Sequence, residues 1–183
     1  MLKKKNNIIL IGFMGCGKTS IGRRIASNFD FDFVDTDIAI QELSGLSINE
    51  IFRKYGEDYF RKLERNYCKL SALSKGYVIA TGGGIIKNEI NVDNLKINGV
   101  VVYLKCSPEK IYNNIKNDTS RPLLNGAKDK YALICQMLKE REPLYKKYAD
   151  VTIDISEMRL EESAWQVGRE LRRFSYIWKK LEL

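Results

Sequence analysis

A glycine-rich segment that directly follows a short apolar run constrains this sequence more than any other feature. The run is NIILI at residues 7–11, and the segment is GFMGCGKTS at residues 12–20. It fits the pattern G-x-x-x-x-G-K-[ST], whose fixed positions are Gly12, Gly17, Lys18 and Thr19. Because glycines allow backbone angles that turn successive N–H groups inward, such a loop forms a cradle for phosphate oxygens. The pattern therefore predicts a strand, a phosphate-binding loop and a helix, in that order.

The polar groups of this segment have expected partners in a bound nucleotide. We expect Lys18 to reach the β and γ phosphates and the Thr19 hydroxyl to ligate Mg²⁺, while the following helix adds the positive end of its dipole. The expected nucleotide contacts are Gly15, Cys16, Gly17, Lys18, Thr19 and Ser20. The sequence thus predicts a protein that binds a nucleoside triphosphate with magnesium, a property that kinases, GTPase switches and mechanical ATPases share.

The remainder of the chain alternates between strand and helix patterns. Strands are predicted at 7–11, 31–35, 77 onward into the glycines at 82–84, 100–104 and 151–155. In the first half of the chain, helices are predicted after Gly17, from the capping box SINE (47–50) to a break at Gly56, and from about 60 to near Gly76. In the second half they are predicted from Ser107, from about 129 to 147 with a perturbation near Pro143, and after residue 155. This alternation predicts an α/β fold whose parallel sheet is covered on both faces and binds ligands at the carboxyl ends of its strands.

Composition excludes several other kinds of site. The chain has no histidine, so Ser-His and Cys-His catalysis are excluded and any general base is expected to be a carboxylate. Its four cysteines are widely spaced, which favours reduced, mostly buried thiols over a zinc site or a disulfide framework. No apolar stretch approaches the ~18–20 residues of a membrane helix, and the start lacks a signal-peptide cleavage site. We expect a cytoplasmic protein with no membrane partner.

The net charge of +8 is concentrated at the two ends of the chain. Lys3, Lys4 and Lys5 supply +3, and the residues from 169 onward supply another +3. Charge placed in tails is typical of solvated segments, so we expect no nucleic-acid partner.

Three further segments offer groups that could act on a bound nucleotide. The second predicted strand ends in DTD, where Asp35 and Asp37 could hold the magnesium shell and accept a proton from an acceptor hydroxyl; the alternative is that they cap a turn or a helix. The TGGG segment (81–84) allows a small ligand to approach the backbone, although a tight turn would explain it too. Arg121 follows in a polar loop (117–127) that could close over the phosphates, and such an arginine can contribute roughly 10³–10⁵ in rate.

Taken together, the motifs resemble those of shikimate kinases. GFMGCGKTSIGRRIA, DTD, GEDYFRKLE, TGGG, RPLL and REPLY occur in the family's order and approximate spacing, from about residue 7 to 155. The resemblance implies one nucleoside-monophosphate-kinase-like domain over 1–183, a three-layer sandwich around a five-stranded parallel sheet. It also implies a substrate-binding subdomain at about 35–62, a lid at about 114–127, and phosphoryl transfer from ATP to the 3-hydroxyl of shikimate. We expect a monomer.

The resemblance also assigns roles to individual residues. Asp37 is similar to the aspartate that binds shikimate hydroxyls and is a candidate base, and Gly83 to the backbone donor at the substrate. Arg61 and Arg141, which singly would be taken for surface charges, resemble the pair that binds the shikimate carboxylate. Arg121 resembles the lid arginine at the ATP phosphates, and Asp35 the acid behind magnesium.

Two positions depart from the family pattern. Asn114 stands where an arginine commonly stacks on adenine, so we expect a softer nucleotide preference or a higher KM for ATP, unless Lys116 or a backbone surface substitutes. Cys16 stands where Ala or Ser is usual. Near Lys18 and a helix N-terminus its thiol pKa is expected to fall, giving sensitivity to thiol reagents that ATP protects against.

Other functions of a phosphate-binding loop fit the sequence less well. A gluconate or nucleotide kinase would not explain the pairing of Arg61 and Arg141 with TGGG. A GTP switch usually carries N-K-x-D, which is absent. A domain that has lost activity and serves as a regulator stays open, although every expected catalytic position is filled.

Overall fold

The computed structural model describes residues 6–118, 122–124, 126–172 and 174. It contains a five-stranded, wholly parallel sheet with the strand order β2-β3-β1-β4-β5. The strands are β1 (Asn7–Ile11), β2 (Asp32–Asp35), β3 (Tyr77–Ala80), β4 (Gly99–Lys105) and β5 (Val151–Asp154). The helices are α1 (Lys18–Asn28), α2 (Thr36–Ser44), α3 (Ile48–Ser71), α4 (Glu89–Lys96), α5 (Pro108–Ile115), α6 (Lys130–Tyr148) and α7 (Leu160–Leu171), with 3₁₀ turns at Ile85–Lys87 and Pro122–Leu124.

The side chains of the central strand β1 alternate between two hydrophobic cores. Ile8 and Leu10 lie in a core with apolar residues of α1 and α7, whereas Ile9 and Ile11 lie in a core with residues of α4 and the end of α6. Each face of the sheet is therefore covered by helices, as a buried parallel sheet requires. The predicted three-layer α/β fold with five parallel strands is confirmed.

A third, smaller core joins α2 to α3. Its buried members are Ile40, Ile51 and Phe60. Within α3, Gly56 has φ 80° and ψ 170°, so the predicted helix break is present as a kink between two helical stretches. The capping box at the start of α3 is also confirmed, because Ser47 and Glu50 exchange side-chain-to-backbone hydrogen bonds.

One predicted helix end was wrong, and two helices were not predicted. Helix α3 ends at Ser71 rather than near Gly76, and two residues of the predicted apolar face, Leu70 in its last turn and Leu73 beyond it, are exposed. Helices α2 and α4 were not predicted, since each has nine residues or fewer and shows little periodicity. Helix α6 runs through Pro143.

The burial of the cysteines agrees with the sequence prediction. Cys16, Cys68 and Cys106 are buried, Cys135 is partly buried, and all four are free thiols. Among the described helices, none combines the length and the apolar character needed to cross a bilayer. The basic segments 1–5, 173 and 175–183 lie outside the described residues.

Candidate active site

The glycine-rich loop between β1 and α1 has a backbone that other residues could not adopt. Gly12, Gly15 and Gly17 have φ values of 149°, 78° and 99°. A Cβ on Gly15 would lie 2.5 Å from Cγ2 of Ile115, so space as well as backbone angle requires glycine. The loop therefore has the form predicted for a phosphate cradle.

The ammonium group of Lys18 is held within this loop. Lys18 is buried, with 8% of its surface exposed, and its Nζ donates to the carbonyl oxygens of Gly12 (2.9 Å) and Phe13 (2.8 Å). These bonds hold the positive charge against the loop, on the side where phosphate oxygens are expected. Cys16 is 2% exposed, so little of this residue is accessible to a reagent, and its Sγ lies 3.9 Å from Lys18 Nζ.

Thr19 and Asp35 form a hydrogen-bonded pair beside the loop. Thr19 Oγ1 donates to Asp35 Oδ2 at 2.6 Å. The other oxygen of Asp35 accepts from the backbone N–H groups of Asp37 (3.0 Å) and Ile38 (3.3 Å), so Asp35 also caps α2. The alternative prediction of a helix cap is thus confirmed for Asp35, whose second oxygen binds the Thr19 hydroxyl beside the loop.

Two cavities meet next to this pair. The larger, of about 710 Å³, is lined by residues 14–21, by Asp35, and at its far end by Lys110 and Asn114. The smaller, of about 70 Å³, is lined by Arg61, Glu64 and the glycines 82–84, among others. The residues that line both cavities are Met14, Asp37, Ile48 and Gly83. We call these four residues the cavity junction.

Asp37 reaches the junction from the first turn of α2 and not, as predicted, from the strand end itself. A Cβ on Gly82 would lie 2.6 Å from Asp37 Oδ1 and 3.1 Å from Glu64 Oε1, so the bare backbone of Gly82 admits both carboxylates. Glu64 is fully buried, and this burial raises its pKa to about 7 from the ordinary value of 4.5; the charge of Arg61 opposes the rise, and that of Asp37 adds to it.

Arg61 is bound by two glutamates of its own helix. Its Nη1 donates to both oxygens of Glu64 at 3.0 Å, and its Nη2 and Nε donate to Glu57 Oε1 at 2.8 Å and 3.1 Å. The hydrogen bond from Arg61 lowers the pKa of Glu57, which is far more exposed than Glu64. The guanidinium lies against the backbone of Gly84, where a Cβ would be 2.6 Å from Nη2. Arg61 is therefore not the surface charge that its position alone suggested.

Arg141 lies deeper than Arg61. It is 5% exposed, its guanidinium carbon is 5.5 Å from the centre of the Phe13 ring, and its Nη1 has no hydrogen-bond partner among the described residues. It is absent from the lining of both cavities. The structure thus places Arg61 at the smaller cavity and Arg141 behind Phe13, outside the lining of either cavity.

Asn114 binds the phosphate loop. Its Nδ2 donates to the carbonyl oxygen of Gly15 at 2.8 Å, and its side chain lines the far end of the larger cavity, while Lys116 does not. Arg121 lies outside the described residues. Two and three residues later in the sequence, Leu123 lines the smaller cavity and Leu124 is buried in the core.

Sequence reasoning missed the residues that hold the arginines. Glu57 and Glu64 stand four residues before and three after Arg61, a spacing that places side chains together on a helix and could have signalled the network. Tyr145, four residues after Arg141, was missed as well. Its Oη donates to the Gly83 carbonyl, a contact between distant parts of the sequence.

Comparisons with known proteins agree on one family. A family model described as shikimate kinase matches residues 14–172. A shikimate kinase of Caldanaerobacter subterraneus subsp. tengcongensis is 46% identical over 163 residues, which is 89% of this chain and 94% of that protein. A solved structure of shikimate kinase from Acinetobacter baumannii in complex with shikimate aligns with a TM-score of 0.88 at 34% identity, covering 92% of this chain and 94% of the other.

A more distant structure shares the fold alone. A gluconokinase from Sinorhizobium meliloti aligns with a TM-score of 0.58 at 16% identity and covers 99% of this chain and 100% of its own. At that identity the likeness says nothing of the acceptor, so the choice between the kinase classes rests on the closer relatives.

Proposed function

This chain belongs to the shikimate kinase family. From that premise we propose which of its side chains act in the transfer of a phosphoryl group from ATP to shikimate, and what each of them does. The chain is an ATP-dependent kinase that acts on shikimate, in the biosynthesis of chorismate and the aromatic amino acids. The acceptor atom in the proposal is the 3-hydroxyl, and the products are ADP and 3-phosphoshikimate.

The observation that carries the proposal is the cavity junction. Asp37 lines both the cavity that contains the phosphate loop and the cavity that contains Arg61. A phosphoryl group that passed between ligands in these two cavities would cross the cavity junction, where Asp37 is the one residue with a carboxylate. Asp37 is therefore in position to orient the acceptor hydroxyl and to accept its proton as the bond to phosphorus forms.

The nucleotide side of the site is formed by the loop. Backbone N–H groups of residues 15–20 would hold the phosphates, and the Lys18 ammonium would neutralise charge on the β and γ oxygens. Arg121, carried by the lid at 114–127, would complete the positive charge when the lid closes and excludes water. The supporting observations are the burial of Lys18 and the position of Leu123 at the smaller cavity.

Thr19 and Asp35 fit a magnesium ion that is shared with nucleotide phosphates. Mg²⁺ is usually bound by one or two protein oxygens together with waters and phosphates, and this pair supplies a hydroxyl oxygen and a carboxylate. A Thr19 hydroxyl that donates to Asp35 keeps its lone pairs for a cation. The ion would supply charge neutralisation at the β and γ phosphate oxygens.

In the proposal, the acceptor carboxylate is bound by Arg61, which lines the smaller cavity, and by Arg141, which is buried and lines neither cavity in this structure. Shikimate is an acid with several hydroxyls, so forked donors at Arg61 and Arg141 suit its carboxylate, while Asp37 and the Gly83 N–H suit its hydroxyls. The more exposed Glu57 would leave Arg61 when shikimate binds, whereas the buried Glu64 would stay.

The proposal extends to the surroundings of the site. The small core of α2 and α3 supports a substrate-binding subdomain at about 35–62 within one domain over 1–183. The concentration of charge in the tails supports a protein that works without nucleic acid. We also propose a cytoplasmic monomer.

The test is ADP release by the purified protein with Mg·ATP, alone and with shikimate, quinate or gluconate. We expect stimulation by shikimate alone, and an Asp37→Asn variant that binds both substrates while turnover falls by about 10²–10⁴. Stimulation by gluconate would show that shikimate is not the acceptor. ATP binding without stimulated turnover would favour a regulatory domain.

A further inference from the structure

The hydroxyl of Tyr145 connects parts of the acceptor site that come from different elements. Tyr145 lies in α6, is fully buried, and its Oη donates to the carbonyl oxygen of Gly83 at 2.5 Å. Its ring stacks on Tyr103 with centroids 5.0 Å apart and planes 17° apart. Because residues four apart are neighbours on a helix surface, Tyr145 also adjoins Arg141.

The segment that Tyr145 holds is intrinsically flexible. Three consecutive glycines occupy 82–84, and glycine has more backbone freedom than any other residue. The turn is fixed by bonds from outside it. Gly82 N donates to Thr36 Oγ1 at 3.1 Å on one side, and the Gly83 carbonyl accepts from Tyr145 on the other. The Gly83 N–H lies between these two anchors, so its direction depends on both.

Tyr145 keeps its proton over the working pH range. Burial raises the pKa of its hydroxyl, and the nearby charge of Arg141 opposes that rise without reversing it. The hydroxyl is therefore a permanent donor, and the Gly83 carbonyl is a permanent partner for it.

We propose that Tyr145 is a positioning residue for shikimate binding. Its hydroxyl fixes the 82–84 turn relative to the helix that carries Arg141, so that the Gly83 N–H and the Arg141 guanidinium are aligned for one ligand. The inference rests on the proposed function, in which Gly83 and Arg141 contact shikimate. Groups held in the bound geometry beforehand lose less entropy on binding, which is why the anchor affects affinity.

The test compares Tyr145→Phe with Tyr148→Phe, a matched change three residues later. Phenylalanine keeps the ring that stacks on Tyr103 and removes only the hydroxyl. The Tyr148 ring lies under Lys147, and among the described residues its hydroxyl has no hydrogen bond to the turn. We expect Tyr145→Phe to raise the shikimate Kd, titrated without nucleotide, and the shikimate KM by about five- to tenfold. The ATP KM should stay within about twofold, and Tyr148→Phe should change neither value.

Two further variants separate the possible outcomes. Thr36→Val removes the other anchor of the same turn and should reproduce the rise in shikimate KM. Arg141→Lys tests the proposed function itself, because it removes the forked donor. If Arg141→Lys weakens shikimate binding and Tyr145→Phe does not, the positioning role is wrong and the proposed function stands. If Arg141→Lys has no effect, the assignment of Arg141 fails and the positioning role fails with it. An equal loss of ATP and shikimate affinity in Tyr145→Phe, with a lower Tm, would show that Tyr145 stabilises the fold and does not position the shikimate site.

Discussion

Thr19 and Asp35 are joined by a 2.6 Å hydrogen bond, although the strands that precede them, β1 and β2, are separated in the sheet by β3. Thr19 lies in the first turn of α1, and Asp35 is the last residue of β2. The same Asp35 caps α2, the helix that carries Asp37. Asp35 thus binds both the hydroxyl of Thr19, a proposed metal ligand, and the backbone N–H of Asp37, the proposed base.

Replacing that carboxylate tests the magnesium assignment. Asp35→Asn keeps a good helix cap but removes the charge, so the fold should survive while Mg²⁺ binding weakens. We expect the Mg²⁺ concentration for half-maximal rate to rise about 10–100-fold. Asp32→Asn, at the exposed start of the same strand, is the control and should behave as wild type. An unchanged Mg²⁺ requirement in Asp35→Asn would remove Asp35 from the metal site.

Glu57 should compete with shikimate for Arg61. Glu57 occupies the Nη2 and Nε edge of the guanidinium, and a substrate carboxylate needs such an edge. We expect Glu57→Gln to lower the shikimate Kd by about two- to fivefold, as suits a partly exposed ion pair. Asp58→Asn, on the next residue, controls for the change of charge. Weaker shikimate binding in Glu57→Gln would show that Glu57 orients Arg61 instead of competing for it.

Glu64 should make stability depend on pH in a defined direction. Its pKa is raised by burial to about 7, above the ordinary 4.5, so folding favours the protonated form and this stabilisation is lost as pH rises from about 5 to 8. Relative to Glu64→Gln, the wild type should lose up to about 3 kcal/mol of unfolding free energy over that range.

Urea unfolding at pH 5, 6, 7 and 8 measures this difference. The exposed Glu140→Gln serves as a control whose stability should follow that of the wild type. A difference between wild type and Glu64→Gln that stays constant with pH would mean that Glu64 titrates near its ordinary pKa and that Arg61 compensates its burial.

Asn114 should affect nucleotide binding through the loop that it contacts. Its hydrogen bond to the Gly15 carbonyl is lost in Asn114→Ala, and we expect the ATP KM to rise about three- to tenfold with the shikimate KM unchanged. Asn113→Ala is a matched control, because Asn113 is the adjacent, exposed asparagine of the same helix.

The reverse change tests the departure from the family pattern. Asn114→Arg also removes the bond to Gly15, but it restores a side chain that can stack on adenine, and we expect the stacking to outweigh that loss. The expected result is a lower ATP KM and a stronger preference for ATP over GTP. If Asn114→Arg leaves both unchanged, the softer nucleotide preference predicted from the sequence is wrong.

The parts of the site that could be predicted are those that local sequence determines. The phosphate loop, Lys18 and Thr19 follow from glycine angles and a helix start, which depend on neighbouring residues only. Asp35 and Asp37 were expected at one strand end, and both line the larger cavity, although Asp37 does so from an unpredicted helix. Spacing could not show that helix, because nine residues give only two turns of pattern.

The parts that could not be predicted depend on what packs against a helix. Arg61 and Arg141 look like exposed charges in the sequence, and only the folded chain shows Gly84 beside one and Phe13 beside the other. Leu70 and Leu73 show the opposite error, since their spacing indicates a buried face but α3 ends beside them. Periodicity reports which side chains share a face and does not report whether another element covers it.

The cavity junction also bears on the design of inhibitors. Because Met14, Asp37, Ile48 and Gly83 line both cavities, one continuous ligand can extend from the phosphate loop to the acceptor cavity. Joining a polyphosphate mimic to an acidic ring makes the second half bind from an effective concentration in the millimolar range for a short linker. A tethered pair would bind the protein more tightly than either half alone, and its linker would lie where the phosphoryl group has to pass. A substitution that blocked the linker would therefore obstruct the reaction as well, which limits the routes to resistance.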